Sequence, residues 1–338
     1  TVLFHHRRRL SKLGHRASFS PPRDGSLWAT ADPPPRTGNT LEVLIDGDEV
    51  LPAIAQAIRS ACSHVHIAGW SITPPFELTR SEQPTVVREL LADVSPGVDV
   101  RVILWAGAPV PVIRPDRRDV RRDRRELASG SRVKVALDAR EHLVHCHHEK
   151  LVVIDDDLAF VGGLDLTDRG GDRYDSRLHP DRGHLGWHDL AFRIRGPLVG
   201  DVARHFAARW RAVTGDQLPQ PAMPSEVGET EAQFVRTVPE GVYPFAPRGD
   251  FRILESYVRA LRSAQRLIYI ENQFLWAPEI VSVLASKLRW PPHPDFRLVV
   301  VIPSRANQGQ ENTRGQLQLL ADADRGAGRF TASTVSAV

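Results

Sequence analysis

The sequence predicts an α/β protein: duplicated α-β-α sandwich domains, the second one incomplete. Three observations predict it. Short β-branched runs alternate with amphipathic stretches, the pattern of helices covering both faces of a mostly mixed sheet. Two stretches recur about 200 residues apart: AIRSACSHVHIAGWSI from Ala57 returns as ALRSAQRLIYIENQFL from Ala260, and DVRVIL from Asp99 as DFRLVV from Asp295. A polar, Pro-rich segment, TGDQLPQPAMPSEVGETEAQ at residues 214–233, separates the copies and reads as a linker.

In order along the chain, residues 1–40 hold FHHRRR, PPR and DPPPR without hydrophobic periodicity and read as a loosely packed basic arm. The first domain, residues 41–213, is expected to place strands near 64–69, 98–105, 132–137, 150–154, 158–162 and 188–195. Helices are expected near 50–62, 84–94, 116–128 and 198–212. Residues 234–338 are expected to form the N-terminal part of the second domain.

The chain has 338 residues, 25% charged and 41% hydrophobic, with a formal net charge of +3, which describes neither a disordered nor a membrane-spanning protein. Arg117, Arg118, Arg121, Arg122, Arg124 and Arg125 concentrate positive charge, but Asp116, Asp119, Asp123 and Glu126 interleave with them at helical spacing. That reads as a self-paired solvated helix rather than a nucleic-acid track. Cys62 and Cys146 are too few for a disulfide framework. No basic start followed by an apolar stretch marks a secretory signal, so a cytoplasmic or peripheral-membrane location is the expectation.

Chemistry concentrates in HEKLVVIDDDLAFVGGLD, from His148 to Asp165. Side chains alternate along a strand, so His148, Lys150 and Val152 share one face while Glu149, Leu151 and Val153 take the other. Asp155-Asp156-Asp157 reads as the turn of a buried hairpin, with Gly162 and Gly163 letting backbone approach a ligand.

The spacing of His148, Lys150, Asp155 and Gly162-Gly163 resembles the HKD motif of the phospholipase D superfamily. Three further stretches are similar to phospholipase D proper: GWHDLAFRIRGPLVGDVARHFAARW at 186–210, IYIENQFLW at 268–276, and RYD at 173–175. The resemblance covers roughly residues 40–338 and implies two such domains whose motifs share one cleft. After Lys150 the histidines are His179, His184, His188, His205 and His293, and none has lysine two residues on. The second motif is therefore expected beyond Val338, and this chain alone is expected to be nearly inactive.

The resemblance assigns His148 as nucleophile and Lys150 as the charge that holds a non-bridging phosphate oxygen. Asp155, although named in the motif, reads more simply as a carboxylate accepting backbone N–H groups in the turn. Asp189 is the candidate that orients the imidazole, and Glu271 its weaker analogue in the second half. Asp165 stands where many superfamily members carry asparagine. Gly162, Gly163, Asp165, Trp187, His188, Asn272 and Gln273 are the candidate substrate contacts, with Trp70 a further cleft residue. His142, His145, Cys146 and His147 invite a metal reading, but adjacent His147 and His148 diverge on a strand, so no metal and no cofactor is expected.

The implied activity is hydrolysis of phosphatidylcholine or a similar glycerophospholipid to phosphatidic acid through a phosphohistidine, with transphosphatidylation as a companion reaction. A phospholipid at a membrane surface is the expected partner. Alternatives are cardiolipin synthase-like transfer, a nuclease, or a non-catalytic lipid-binding member. The nuclease is disfavoured because basic and aromatic residues do not interleave as a nucleic-acid track requires.

Overall fold

Every residue of the run Leu151–Ile154 is buried, which identifies a strand covered on both faces and accounts for its unbroken apolar sequence. The computed structural model describes residues 2–19, 25–30, 32–110, 113–140, 146–169, 171, 187–303 and 310–334. In chain order its first elements are α1 (Val2–Lys12), a 3-10 turn (Arg16–Phe19), β1 (Arg36–Ile45), α2 (Asp46–Arg59), β2 (His64–Gly69), α3 (Val87–Val94), β3 (Asp99–Trp105) and α4 (Arg117–Ala128). Then come β4 (Lys134–Asp138), β5 (Leu151–Ile154), β6 (Leu158–Gly162), β7 (Leu190–Arg195), α5 (Leu198–Thr214), β8 (Thr230–Ala232), β9 (Thr237–Val238) and β10 (Asp250–Phe251). The last are α6 (Arg252–Ser263), β11 (Leu267–Glu271), α7 (Pro278–Arg289), β12 (Arg297–Val301), α8 (Gln310–Asp324) and β13 (Phe330–Ser333).

The chain divides into two units. The larger, Pro35–Phe234 with Val242–Phe245, holds an eight-stranded sheet ordered β4-β3-β2-β5-β6-β7-β1-β8. Strands β2, β3 and β4 are parallel, and β5 joins β2 antiparallel. Val152 and Ile154 of β5 pack into the core with α2, α3 and α4, whereas Leu151 and Val153 pack with α5 on the opposite face. The sheet is thus mixed and sandwiched, as the alternation of elements predicts.

The other unit comprises Thr1–Pro34, Val235–Gly241 and Ala246–Val338. Its order α6–β11–α7–β12–α8–β13, with three parallel strands, repeats the order α2–β2–α3–β3–α4–β4 of the larger unit. The internal sequence repeat is therefore a repeat of structure. Leu284, Phe296, Leu298, Val300 and Leu320 are fully buried in its own core.

Two stretches depart from the expectation. Residues 1–40 are not simply an arm: α1 is anchored by His6 Nδ1 to Glu279 Oε1 at 2.7 Å and by Arg9 to Glu240, with Leu10 buried, and β1 begins at Arg36. Polar anchors replace most of the apolar stripe, so periodicity gave no signal. Residues 214–233 are not a free linker, because β8 pairs with β1 and closes the sheet edge. An edge strand with an exposed face stays polar, which makes its sequence look like a loop.

Candidate active site

The antiparallel pairing of β5 with β2, Leu151 opposite Ala68, brings residues entering β5 beside those leaving the carboxyl ends of β2 and β3. In sheets with parallel strands that end is where ligands bind. There the exposed His148 lies beside Trp70, ring centroids 5.9 Å apart, and Trp70 stacks on Trp105 at 6.1 Å. Lys150 is buried, and its Nζ is 3.0 Å from Asp165 Oδ2. Asp165 Oδ1 accepts the backbone N–H groups of Trp70 at 2.9 Å and Ser71 at 3.3 Å. One buried carboxylate therefore fixes both the ammonium and the backbone of the tryptophan against which the imidazole rests.

Gly162 and Gly163 both lie where the chain packs closely on itself. A Cβ on Gly162 would lie 2.4 Å from the Leu190 carbonyl oxygen, and one on Gly163 would lie 2.1 Å from the Asp189 carboxylate. Their close approach is to the chain itself, since β7 crosses at that point. Asp189 thus stands against the second glycine, and its Oδ1 accepts the N–H of Leu190 at 2.8 Å. His188 Nδ1 contacts Asp46 Oδ1 at 2.9 Å, and the same oxygen accepts the Asp189 N–H at 3.0 Å. Trp187 is half-buried.

Asp46, which the sequence did not single out, is buried in the left-handed region at φ 59° at the start of α2. Such a conformation persists in a non-glycine residue only when its surroundings enforce it. Two bonds from residues 188–189 do so. Read from sequence, an aspartate between strand and helix looks only like a cap.

Asp155 lies beyond the far end of β5 from His148. At φ 54°, its carboxylate accepts the N–H groups of Cys62, Ser63 and His64, each at 2.8 Å. It ties the turn of the hairpin to the start of β2, the turn-stabilising role, at a remove from the imidazole and the ammonium.

Behind the strand, Glu149 points the other way, toward α5. His205 Nε2 is 2.7 Å and His147 Nε2 is 2.9 Å from Glu149 Oε2, while Arg209 donates to Glu149 Oε1. Arg209 is fully buried and also meets Asp138, to which the Tyr243 hydroxyl donates. Burial alone would raise the Glu149 pKa, but Arg209, His205 and His147 outweigh it and hold the carboxyl well below the usual range. The ligand atoms of His147, Glu149 and His205 lie within 4.8 Å of one another, a cluster able to hold a metal ion. Here the Arg209 guanidinium already compensates the carboxylate charge. The i, i+4 spacing of His205 and Arg209 on α5 was the sequence signal for this network.

A cavity of about 20 Å³, room for roughly one water, adjoins Lys150 and Asp165. Its other walls, including Val50, Ile54, Ile67 and Phe160, are apolar. Asn272 and Gln273 belong to the smaller unit, following β11, with Asn272 exposed; Glu271 Oε2 accepts from the Tyr269 hydroxyl at 3.0 Å. His142, His145 and the RYD stretch lie outside the described residues.

A family model described as "Cardiolipin synthase, PLD-like domain" matches residues 54–176. Phospholipase D A of Dictyostelium discoideum is 26% identical over 83% of this chain and 26% of its own length. Phospholipase D alpha 1 of Oryza sativa subsp. japonica is 27% identical over 67% of this chain and 39% of its own. Among solved structures, phosphatidylserine synthase of Haemophilus influenzae is similar in fold, with TM-score 0.56 and 12% identity over 97% of this chain and 77% of that one. These matches support a likeness of this chain to the phospholipase D superfamily. It spans from 26% to 39% of the length of these two curated relatives.

Proposed function

We propose that this chain supplies the nucleophilic half of a phospholipase D-like phosphodiesterase acting on glycerophospholipids such as phosphatidylcholine. One observation carries the reading: an exposed imidazole, His148, stands two residues from an ammonium, Lys150, held by a buried carboxylate at the carboxyl end of parallel strands. In this reading neutral His148 attacks phosphorus, the bond to the headgroup oxygen breaks, and a phosphohistidine forms. Lys150 holds a non-bridging oxygen on which charge accumulates. Asp189 orients the imidazole. A second histidine, not present in this sequence as a His-x-Lys strand, protonates the departing alcohol and then deprotonates the water that releases His148.

Transfer to an alcohol in place of water is the second reading. The cardiolipin synthase description of the family model and the synthase among the similar structures favour it. Access to a membrane surface is part of both readings, and no described helix is long and apolar enough to cross one.

Product analysis with phosphatidylcholine vesicles, using the native protein and an added primary alcohol, tests both. Choline release that drops by at least about a hundredfold in His148→Ala supports the nucleophile. Phosphatidyl-alcohol in the product identifies transfer, and phosphatidic acid alone identifies hydrolysis. Undiminished release by His148→Ala removes the reading.

A further inference from the structure

Lys150 is the cation that the proposed chemistry sets against a phosphate, yet 3.0 Å from it stands a carboxylate that is itself only 2% exposed. Two backbone N–H groups, of Trp70 and Ser71, hold that carboxylate in place, so Asp165 cannot swing away when an anion arrives. A Cβ on Gly69 would lie 3.1 Å from its Oδ1, so the glycine leaves the carboxylate its place. The ammonium and carboxylate charges cancel locally. An incoming phosphoester therefore meets one directed positive charge backed by a fixed negative one.

Resting on the reading above, we propose that Asp165 is the charge-selecting residue of this site: it admits a monoanionic phosphodiester and turns away the dianionic phosphomonoester. Both ligands present the same oxygens to Lys150. They differ by one negative charge, and that extra charge feels Asp165 across a poorly screened, partly buried path. Affinity for the diester survives because Lys150 lies nearer to the phosphate than Asp165 does. An asparagine at position 165 removes the repulsion while leaving an amide oxygen to accept from Trp70 and Ser71. The consequence for catalysis is weak retention of any monoester product, so that release is not limited by the charge it gains.

The test is binding of diethyl phosphate and ethyl phosphate, followed by 31P NMR titration at pH 8, where the monoester is a dianion. Wild type, Asp165→Asn and Lys150→Ala are compared, each checked for the wild-type circular dichroism spectrum. The expected result is that wild type prefers the diester, and that Asp165→Asn gains at least about tenfold in monoester affinity with a smaller gain for the diester. An unchanged monoester-to-diester ratio in Asp165→Asn overturns the charge-selecting role while leaving the phosphoester site standing. If Asp165→Asn does not fold, the wild-type ratio still decides: tighter binding of the dianion than of the monoanion overturns the proposal. Binding of neither ligand by wild type, or binding undiminished in Lys150→Ala, removes the site itself.

Discussion

Asp165 Oδ2 lies 3.0 Å from Lys150 Nζ, a buried ion pair that joins the turn after β6 to the segment entering β5, which carries the candidate nucleophile. A buried pair is worth little over a well-packed apolar substitute, but removing one member strands the other. Lys150→Met is expected to destabilise the larger unit by about 3 kcal/mol, and Lys150→Met with Asp165→Asn to recover most of that loss. Urea denaturation of the double variant and of each single variant checks it. Additive losses would mean that the two residues are not energetically coupled.

Asp155→Ala removes the acceptor of three backbone N–H groups, those of Cys62, Ser63 and His64. The expected cost is about 2–3 kcal/mol, moderated because these donors can reach water. Phosphoester binding should be unchanged, since the lesion is at the far end of β5. Denaturation midpoints together with 31P titration separate the two effects; loss of binding without loss of stability would return Asp155 to the chemistry.

The network behind the strand predicts a pH signature. Glu149 is held well below its usual pKa, so its contribution is fully present above the unfolded carboxylate range and is lost as pH falls through the lower folded value. Replacing Arg209 with Met leaves burial to push the Glu149 carboxyl upward, because the guanidinium that met it is gone. Arg209→Met is expected to cost about 3–5 kcal/mol near neutrality and to shift the stability maximum toward acid. Urea midpoints from pH 4 to 8 check the direction.

His66 offers a second acid-sensitive group. Its ring stacks on Phe206 with centroids 4.5 Å apart and lies 4.4 Å from that of His64. Burial first, then His64 and Arg101, lower its pKa from 6.5 to about 3 against the opposing pull of Asp156 and Asp99. The unfolded chain therefore binds a proton below pH 6.5 that the folded chain refuses, and stability falls from there toward about 3. His66→Phe should flatten the thermal midpoint against pH over that window, and an unaltered slope would contradict the assignment.

Much of this was legible in the residues. Val152 and Ile154 facing one layer while Leu151 and Val153 face the other follows from period-two alternation, and the run's apolar character announced a strand buried on both sides. The same rule placed Lys150 with Val152 and opposite Glu149. What escaped was structure held by polar contacts between distant segments. Nothing local distinguishes Asp46 from a helix cap until residues 188–189 arrive, and β8 looks like linker because an edge strand needs few apolar side chains. The glycine pair illustrates the same limit: composition announced a close approach, but only the path of β7 reveals what approaches.

A ring nitrogen of His148 is the atom proposed to attack phosphorus. A p-nitrophenyl phosphodiester tests it most directly on this chain, because its leaving group departs without protonation and so bypasses the need for a second histidine. Rapid mixing is expected to release about one equivalent of p-nitrophenolate per chain, with the phosphoryl adduct on the peptide containing His148 and no release from His148→Ala. No burst from the folded wild-type chain, or a burst that survives His148→Ala, contradicts the account.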